Sequence, residues 1–127
     1  MKPNPRIIIA EDNRINLLLV STIISKSLEN VEIREALDGR EALNLYQEWV
    51  PDLIFMDIQM PELNGYEATE AIRSVEVGQN LKRVPIVALT AGAEKSEKDK
   101  CTQAGMDDYI SKPFTKEILV AILNKWL

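Results

Sequence analysis

Five short β-like runs, separated by stretches whose apolar residues recur at helical spacing, leave this chain few ways to fold. The runs are Arg6 to Ala10, Glu32 to Ala36, Leu53 to Met56, Pro85 to Leu89 and Tyr109 to Ser111. Between them, Arg14 to Leu28, Arg40 to Trp49, Tyr66 to Val75 and Glu94 to Gln103 read as helices, and Lys116 to Leu127 as a fifth. Ile7, Ile8 and Ile9 are apolar without alternation, which suits a strand covered on both faces by crossover helices. Repeated βα units of this kind predict an α/β fold with a parallel, doubly wound sheet.

Local punctuation agrees with these boundaries. Pro51 stops the second helix, Gly105 suits a left-handed cap after the fourth, and Asn64-Gly65 makes a turn before the third. Pro85 opens the fourth strand, where a missing donor is tolerated. Thr115 is placed to cap the last helix, and Phe114 and Leu119 to staple its start. Residues 1–5 read as a short flexible lead-in and residues 6–127 as one domain, with no repeat, low-complexity tract or linker.

A chain of 127 residues with 46% hydrophobic and 28% charged content is expected to be one soluble globular domain. Such a length buries roughly two-thirds of the unfolded surface, so no disulfide is needed, and the single Cys101 could form none internally. A reducing cytoplasm is the expected setting. No apolar run approaches the roughly 20 residues that span a bilayer, and no signal peptide is recognisable, so the chain is expected to be neither exported nor in contact with a membrane. A net charge of −5 with no concentrated basic patch argues against nucleic acid as a partner.

In an open parallel sheet, ligands bind beyond the carboxyl ends of the strands. Here those ends carry Glu11 and Asp12 after the first run, Asp57 after the third, Thr90 after the fourth and Lys112 after the fifth. Three neighbouring carboxylates repel, and each makes full ionisation of the others less favourable, so a cation is called for. Mg²⁺ suits an exposed cluster of hard oxygens, since it takes one or two carboxylates and keeps several waters. With no histidine and one cysteine, zinc and copper sites are poorly supported, and neither a Ser-His-Asp nor a Cys-His nucleophile can be assembled. Glycines at 39, 65, 78, 92 and 105 form no phosphate-binding loop of the GxxxxGK or GxGxxG type. What remains is a carboxylate able to attack a phosphoryl group, with Thr90 as a hydrogen-bond donor and Lys112 as a neutralising ammonium.

Each element taken alone also has a plainer explanation. Acids after a strand are often helix caps or first-turn charges, and a lone lysine is more often solvated than catalytic. Tyr109 by itself reads as partial core, and Thr90 as a strand end. The run Glu94 to Lys100 reads as a solvated face, with Glu94 and Lys98 spaced for a helical pair. Only Ala93, Cys101 and Ala104 are available for the fourth helix to bury, which predicts a weakly anchored helix. Cys101 reads as structurally neutral.

In combination the residues are specific. The acid pair Glu11-Asp12, "FMDIQMPELNGYEA" around Asp57, "ALTA" around Thr90 and "AGMDDYISKPF" around Lys112 resemble the receiver domain of two-component response regulators, across essentially the whole chain. The resemblance implies a flavodoxin-like (βα)5 sandwich with strand order 2-1-3-4-5. It implies Asp57 as phosphoacceptor, Asp12 as a direct Mg²⁺ ligand, Glu11 as an acid that orients the metal, and the Gln59 carbonyl as a further ligand. Thr90 and Lys112 resemble the switch hydroxyl and the phosphate-pairing lysine, and Tyr109 the rotating aromatic. Lys112-Pro113 resembles a bond that the family holds in cis. Two departures matter. The acid pair is Glu-Asp where many members have Asp-Asp, and Gln59 and Gly92 occupy positions that influence phosphate hydrolysis.

The resemblance also implies a switch. A phosphoryl group on Asp57 would draw Thr90 and Lys112 toward it, leave space for Tyr109, and report through the fourth helix, fifth strand and fifth helix. That face is also where a homodimer would form. A chain without histidine needs an external phosphohistidine donor, hence a histidine kinase or phosphotransfer domain. The wording of the motifs resembles receivers of hybrid sensor histidine kinases, so the chain is expected to belong to the cytoplasmic part of such a kinase. A stand-alone regulator and a degenerate, phosphate-independent binding module stay open. An aspartyl-nucleophile phosphatase of the haloacid dehalogenase type needs a second Asp two residues on, where Gln59 stands instead.

Overall fold

The computed structural model describes residues 3–92 and 94–127. Met1 and Lys2 of the expected lead-in, and Ala93, lie outside the described residues. The order of elements is β1 (Arg6–Ala10), α1 (Arg14–Ser27), β2 (Glu32–Ala36), α2 (Gly39–Glu48), β3 (Leu53–Asp57), α3 (Gly65–Gly78), β4 (Ile86–Thr90), α4 (Lys95–Ala104), β5 (Asp108–Ser111) and α5 (Lys116–Trp126). All neighbouring strands pair in parallel, in the order β2-β1-β3-β4-β5. This is the flavodoxin-like three-layer sandwich expected from the sequence. Among the described residues, no helix is long and apolar enough to cross a membrane.

Unbroken apolar strands serve two cores at once, because successive side chains point to opposite faces. Ile7, Ile9, Phe55, Val87 and Leu89 face one layer with Leu17, Val20 and Ile24 of α1 and Leu119 and Leu123 of α5. Ile8, Ala10, Ile54, Met56, Ile86 and Ala88 face the other, with Ala42 and Tyr46 of α2, Ile72 of α3 and Cys101 of α4. The central strands β3 and β4 are buried throughout, so their ends are fixed points in the molecule.

Caps set where each helix begins. Asn13 accepts hydrogen bonds from the amides of Ile15 and Asn16 at the start of α1. Asn64 and Glu67 form a reciprocal capping box at α3, and Thr115 caps α5 through the Ile118 amide. Gly105 ends α4 with a φ of 103°, the left-handed cap anticipated for it. The start of α4 is different: Glu94 makes no side-chain cap there.

Helix α3 runs three residues beyond the expected Val75, to Gly78. The cause is a polar cluster rather than an apolar face. Arg73 holds the buried Glu76 carboxylate at 2.9 Å, the Val84 carbonyl at 2.8 Å and Asp107 at 2.9 Å, so the last turn of α3 is anchored by charge. Helix α2 stops at Glu48, ahead of Pro51.

Candidate functional site

Sheet register brings the strand ends together. Ala10 lies opposite Met56, which sets Glu11 beside Asp57; Asp57 lies opposite Leu89, and Thr90 opposite Ser111, one residue before Lys112. A hydrogen bond of 2.8 Å from the Lys112 amide to the Thr90 carbonyl extends this edge. Asp12, Asp57, Gln59, Thr90 and Lys112 line one crevice of about 450 Å³, together with Glu97 of α4.

The acids are not equivalent. Glu11 is fully buried, Asp57 nearly so, and Asp12 is exposed. One carboxylate oxygen from each lies within 4.8 Å of the others. Glu11 is held from both sides, by the Asn13 amide at 3.2 Å on Oε2 and by the Lys112 ammonium at 3.5 Å from Oε1. Its Oε1 has no hydrogen-bond partner. Burial pushes the Asp57 carboxyl up to about 8; a hydrogen bond and the charge of Glu11 add to the rise, Lys112 opposes it, and Asp12 adds a smaller push.

These donors fit a hard divalent cation. All are oxygens, one of them is a buried carboxylate oxygen without a hydrogen-bonding partner, and the charge of Glu11 adds to the rise that burial causes at Asp57. Mg²⁺ has the matching preference for oxygen and for few protein ligands. Lys112 alone cannot neutralise three acids.

Glycine positions the Asp57 end of the sheet. The Gly65 amide donates to the Ile58 carbonyl at 2.8 Å, and a β-carbon on Gly65 would stand 2.3 Å from the Asp57 carbonyl oxygen. Asn64-Gly65 is therefore more than the turn expected. Gly65 is the first helical residue, and its missing side chain lets α3 close on the Asp57 segment. Gly39 does the same for α2: its amide donates to the Leu63 carbonyl at 3.1 Å, and a β-carbon there would stand 2.1 Å from that oxygen.

Thr90 and Tyr109 are placed apart. The Thr90 hydroxyl closes on Gly92, donating to its carbonyl and accepting from its amide. Tyr109 is half-buried and packs outside the crevice, against the core beneath α2, α3 and α4. The Lys112-Pro113 bond is cis, as anticipated.

Sequence reasoning missed Glu97, which it grouped with a solvated charge run. Glu97 is half-buried and lines the crevice and an adjoining hollow of about 600 Å³ that also touches Asp12, Asn64 and Tyr66. The signal was there in the spacing, for Glu97, Cys101 and Ala104 fall on one helical face, and the latter two are buried.

Comparison with known proteins now defines the class. Residues 7–124 match the family model described as the response regulator receiver domain, and the chain belongs to that family. It is 43% identical over 122 residues to the sensor protein GacS of Pseudomonas syringae pv. syringae, covering 96% of this chain and 13% of that protein. Among solved structures it is similar to the receiver domain of the sensor histidine kinase PA1611 of Pseudomonas aeruginosa, which has a magnesium ion in its active-site cleft. That match has a TM-score of 0.84 and 37% identity over 96% of each chain. The Ssk1 receiver domain of Saccharomyces cerevisiae, crystallised with the histidine phosphotransfer protein Ypd1, superposes with a TM-score of 0.91 at 33% identity, over 99% of this chain and 90% of that one.

Proposed function

We propose that residues 6–127 form one receiver domain that accepts a phosphoryl group from a phosphohistidine onto Asp57. The observation that carries this reading is the Asp57 carboxylate, buried at the end of β3 with oxygens of Glu11 and Asp12 within 4.8 Å. In the transfer an Asp57 oxygen forms a bond to phosphorus as the phosphorus–nitrogen bond of the donor breaks, and the imidazole leaves with the bonding pair. When bound, Mg²⁺ supplies positive charge to the phosphoryl oxygens and to the acids that surround them. Asp12, Asp57 and the Gln59 carbonyl would hold it, with Glu11 orienting the site.

This chain's own residues do the rest. Lys112, tethered by Glu11, faces the crevice and pairs with a phosphoryl oxygen. Thr90 leaves Gly92 and donates its hydroxyl to another. That movement frees space into which Tyr109 turns, and the surface of α4, β5 and α5 changes with it. The same surface is where a homodimer would form. Positioning and charge compensation suffice for such a transfer.

The donor reading is supported by α1. Ile15, Leu18 and Leu19 are exposed on this helix, next to the crevice, and form an apolar face suited to a helical phosphotransfer partner. The complex of the Ssk1 receiver with Ypd1 and the match to GacS favour a histidine phosphotransfer domain or kinase as that partner. The similarity to GacS and to the hybrid signal transduction histidine kinase I of Dictyostelium discoideum supports placing the chain within a hybrid sensor histidine kinase, in its cytoplasmic part. The test is transfer from a phosphohistidine protein. Label should leave the donor and appear on this chain, and should not appear on Asp57→Asn. Retention of all label by every phosphotransfer domain tried would contradict the reading.

A further inference from the structure

Lys98, in the first half of α4, does not form the expected pair with Glu94. Its ammonium lies over the ring of Tyr109, 4.8 Å from the ring centre, a cation–π arrangement. Among the described residues it makes no ion pair with any carboxylate. The strand residue that the receiver reading makes the rotating aromatic is thus gripped by the helix above it.

The two ends of α4 are held very differently. At its C-terminus, the Gly105 carbonyl accepts from Arg73 at 2.8 and 3.0 Å and from Arg83 at 3.1 Å, and Cys101 and Ala104 are buried. At its N-terminus Glu94 provides no side-chain cap. Lys98 belongs to the loosely held half, where a single side-chain contact has most influence on position.

We propose that Lys98 is a positioning residue that holds Tyr109 in its present, resting place and so opposes the phosphorylated conformation. The inference rests on the receiver reading above. A contact made in one of two conformations favours that conformation by its own free energy and no more. Turning Tyr109 into the space left by Thr90 takes the ring away from Lys98, so the contact is lost on switching. Lys98 does not line the crevice and touches no reacting atom.

The test uses beryllofluoride as phosphoryl mimic, titrated in the presence of Mg²⁺ against the unmodified chain, Lys98→Met and Lys98→Arg, each also combined with Tyr109→Leu. Lys98→Met keeps the length of the side chain and removes its charge. It should bind the mimic about two- to fivefold more tightly, the scale of an exposed cation–π contact. Lys98→Arg should stay near the unmodified chain, and in the Tyr109→Leu background Lys98→Met should add nothing. Fluorotyrosine NMR provides a signature that general loosening would not: the Tyr109 resonance of unliganded Lys98→Met should move toward its mimic-bound position. Unchanged or weaker binding by Lys98→Met, or the same gain in the Tyr109→Leu background, would overturn the role of Lys98. Failure of the unmodified chain to bind the mimic at all would instead bring down the phosphoacceptor reading on which this rests.

Discussion

Gly65 lies so close to Asp57 that a β-carbon on it would stand 2.3 Å from the Asp57 carbonyl oxygen. No flexible side chain is available to give way there, because the obstacle is backbone at the end of a strand buried along its whole length. Gly65→Ala should therefore lower stability by about 1–3 kcal/mol, the usual cost of overpacking, and weaken Mg²⁺ binding by shifting the acid cluster. Urea unfolding and Mg²⁺ titration check the two effects. An alanine variant with unchanged stability and metal affinity would show that α3 does not set the position of Asp57.

Asp57 gives the metal-free domain a pH dependence whose sign is fixed. Its carboxyl is raised from an ordinary value near 3.8 to about 8, so the folded state holds a proton that the unfolded state releases. The fold is unpenalised below the ordinary value, loses stability as pH rises between the two, and levels off above about 8. Asp57→Asn abolishes this slope. It should be the more stable protein at pH 7 without Mg²⁺, by an amount on the order of a few kcal/mol, with the difference shrinking toward acid pH. Added Mg²⁺ should then raise the melting temperature of the unmodified chain more than that of Asp57→Asn. Parallel melting curves from pH 4 to pH 9 measure all of this.

Arg73 neutralises Glu76 and Asp107 and also holds the Val84 and Gly105 carbonyls. Arg73→Met would leave the Glu76 carboxylate, only 5% exposed, without its cationic partner and with only the Val84 amide still donating to it. A loss of about 3 kcal/mol or more is expected on urea unfolding, and Arg73→Lys should recover little, since a point charge cannot reproduce the fork.

The exposed face of α1 separates donor recognition from chemistry. Leu18 is 66% exposed, so Leu18→Glu should leave the fold and the reaction with a small acyl phosphate unchanged. Transfer from a phosphohistidine protein should fall by about tenfold or more, as expected for a charge set into an apolar interface. Equal loss with both donors would place Leu18 in the chemistry and contradict its assignment to recognition.

Most of the fold was legible because its signals were local. The triple isoleucine of β1 and the unbroken apolar run of β3 could only be strands covered twice, and their acids had to emerge at one edge. Asp12, Asp57, Thr90 and Lys112 do meet in one crevice. What escaped was written in long-range polar contacts. The end of α3 depends on Arg73 meeting Asp107, 34 positions further on, which no apolar period encodes. Glu97 and Lys98 looked like solvent-facing charges because the run around them is polar, yet one lines the crevice and the other covers a tyrosine ring. The close approach of Gly65 to Asp57 was hidden for a similar reason, as an Asn-Gly pair suggests a turn before it suggests a contact.

The central claim is that Asp57 is a phosphoacceptor, and intact-protein mass spectrometry tests it most directly. The domain is incubated with a small acyl-phosphate donor, with and without Mg²⁺, beside Asp57→Asn. A single phosphoryl adduct that requires Mg²⁺ and is missing from Asp57→Asn is the predicted result. An adduct that persists in Asp57→Asn, or none under either condition, would contradict it.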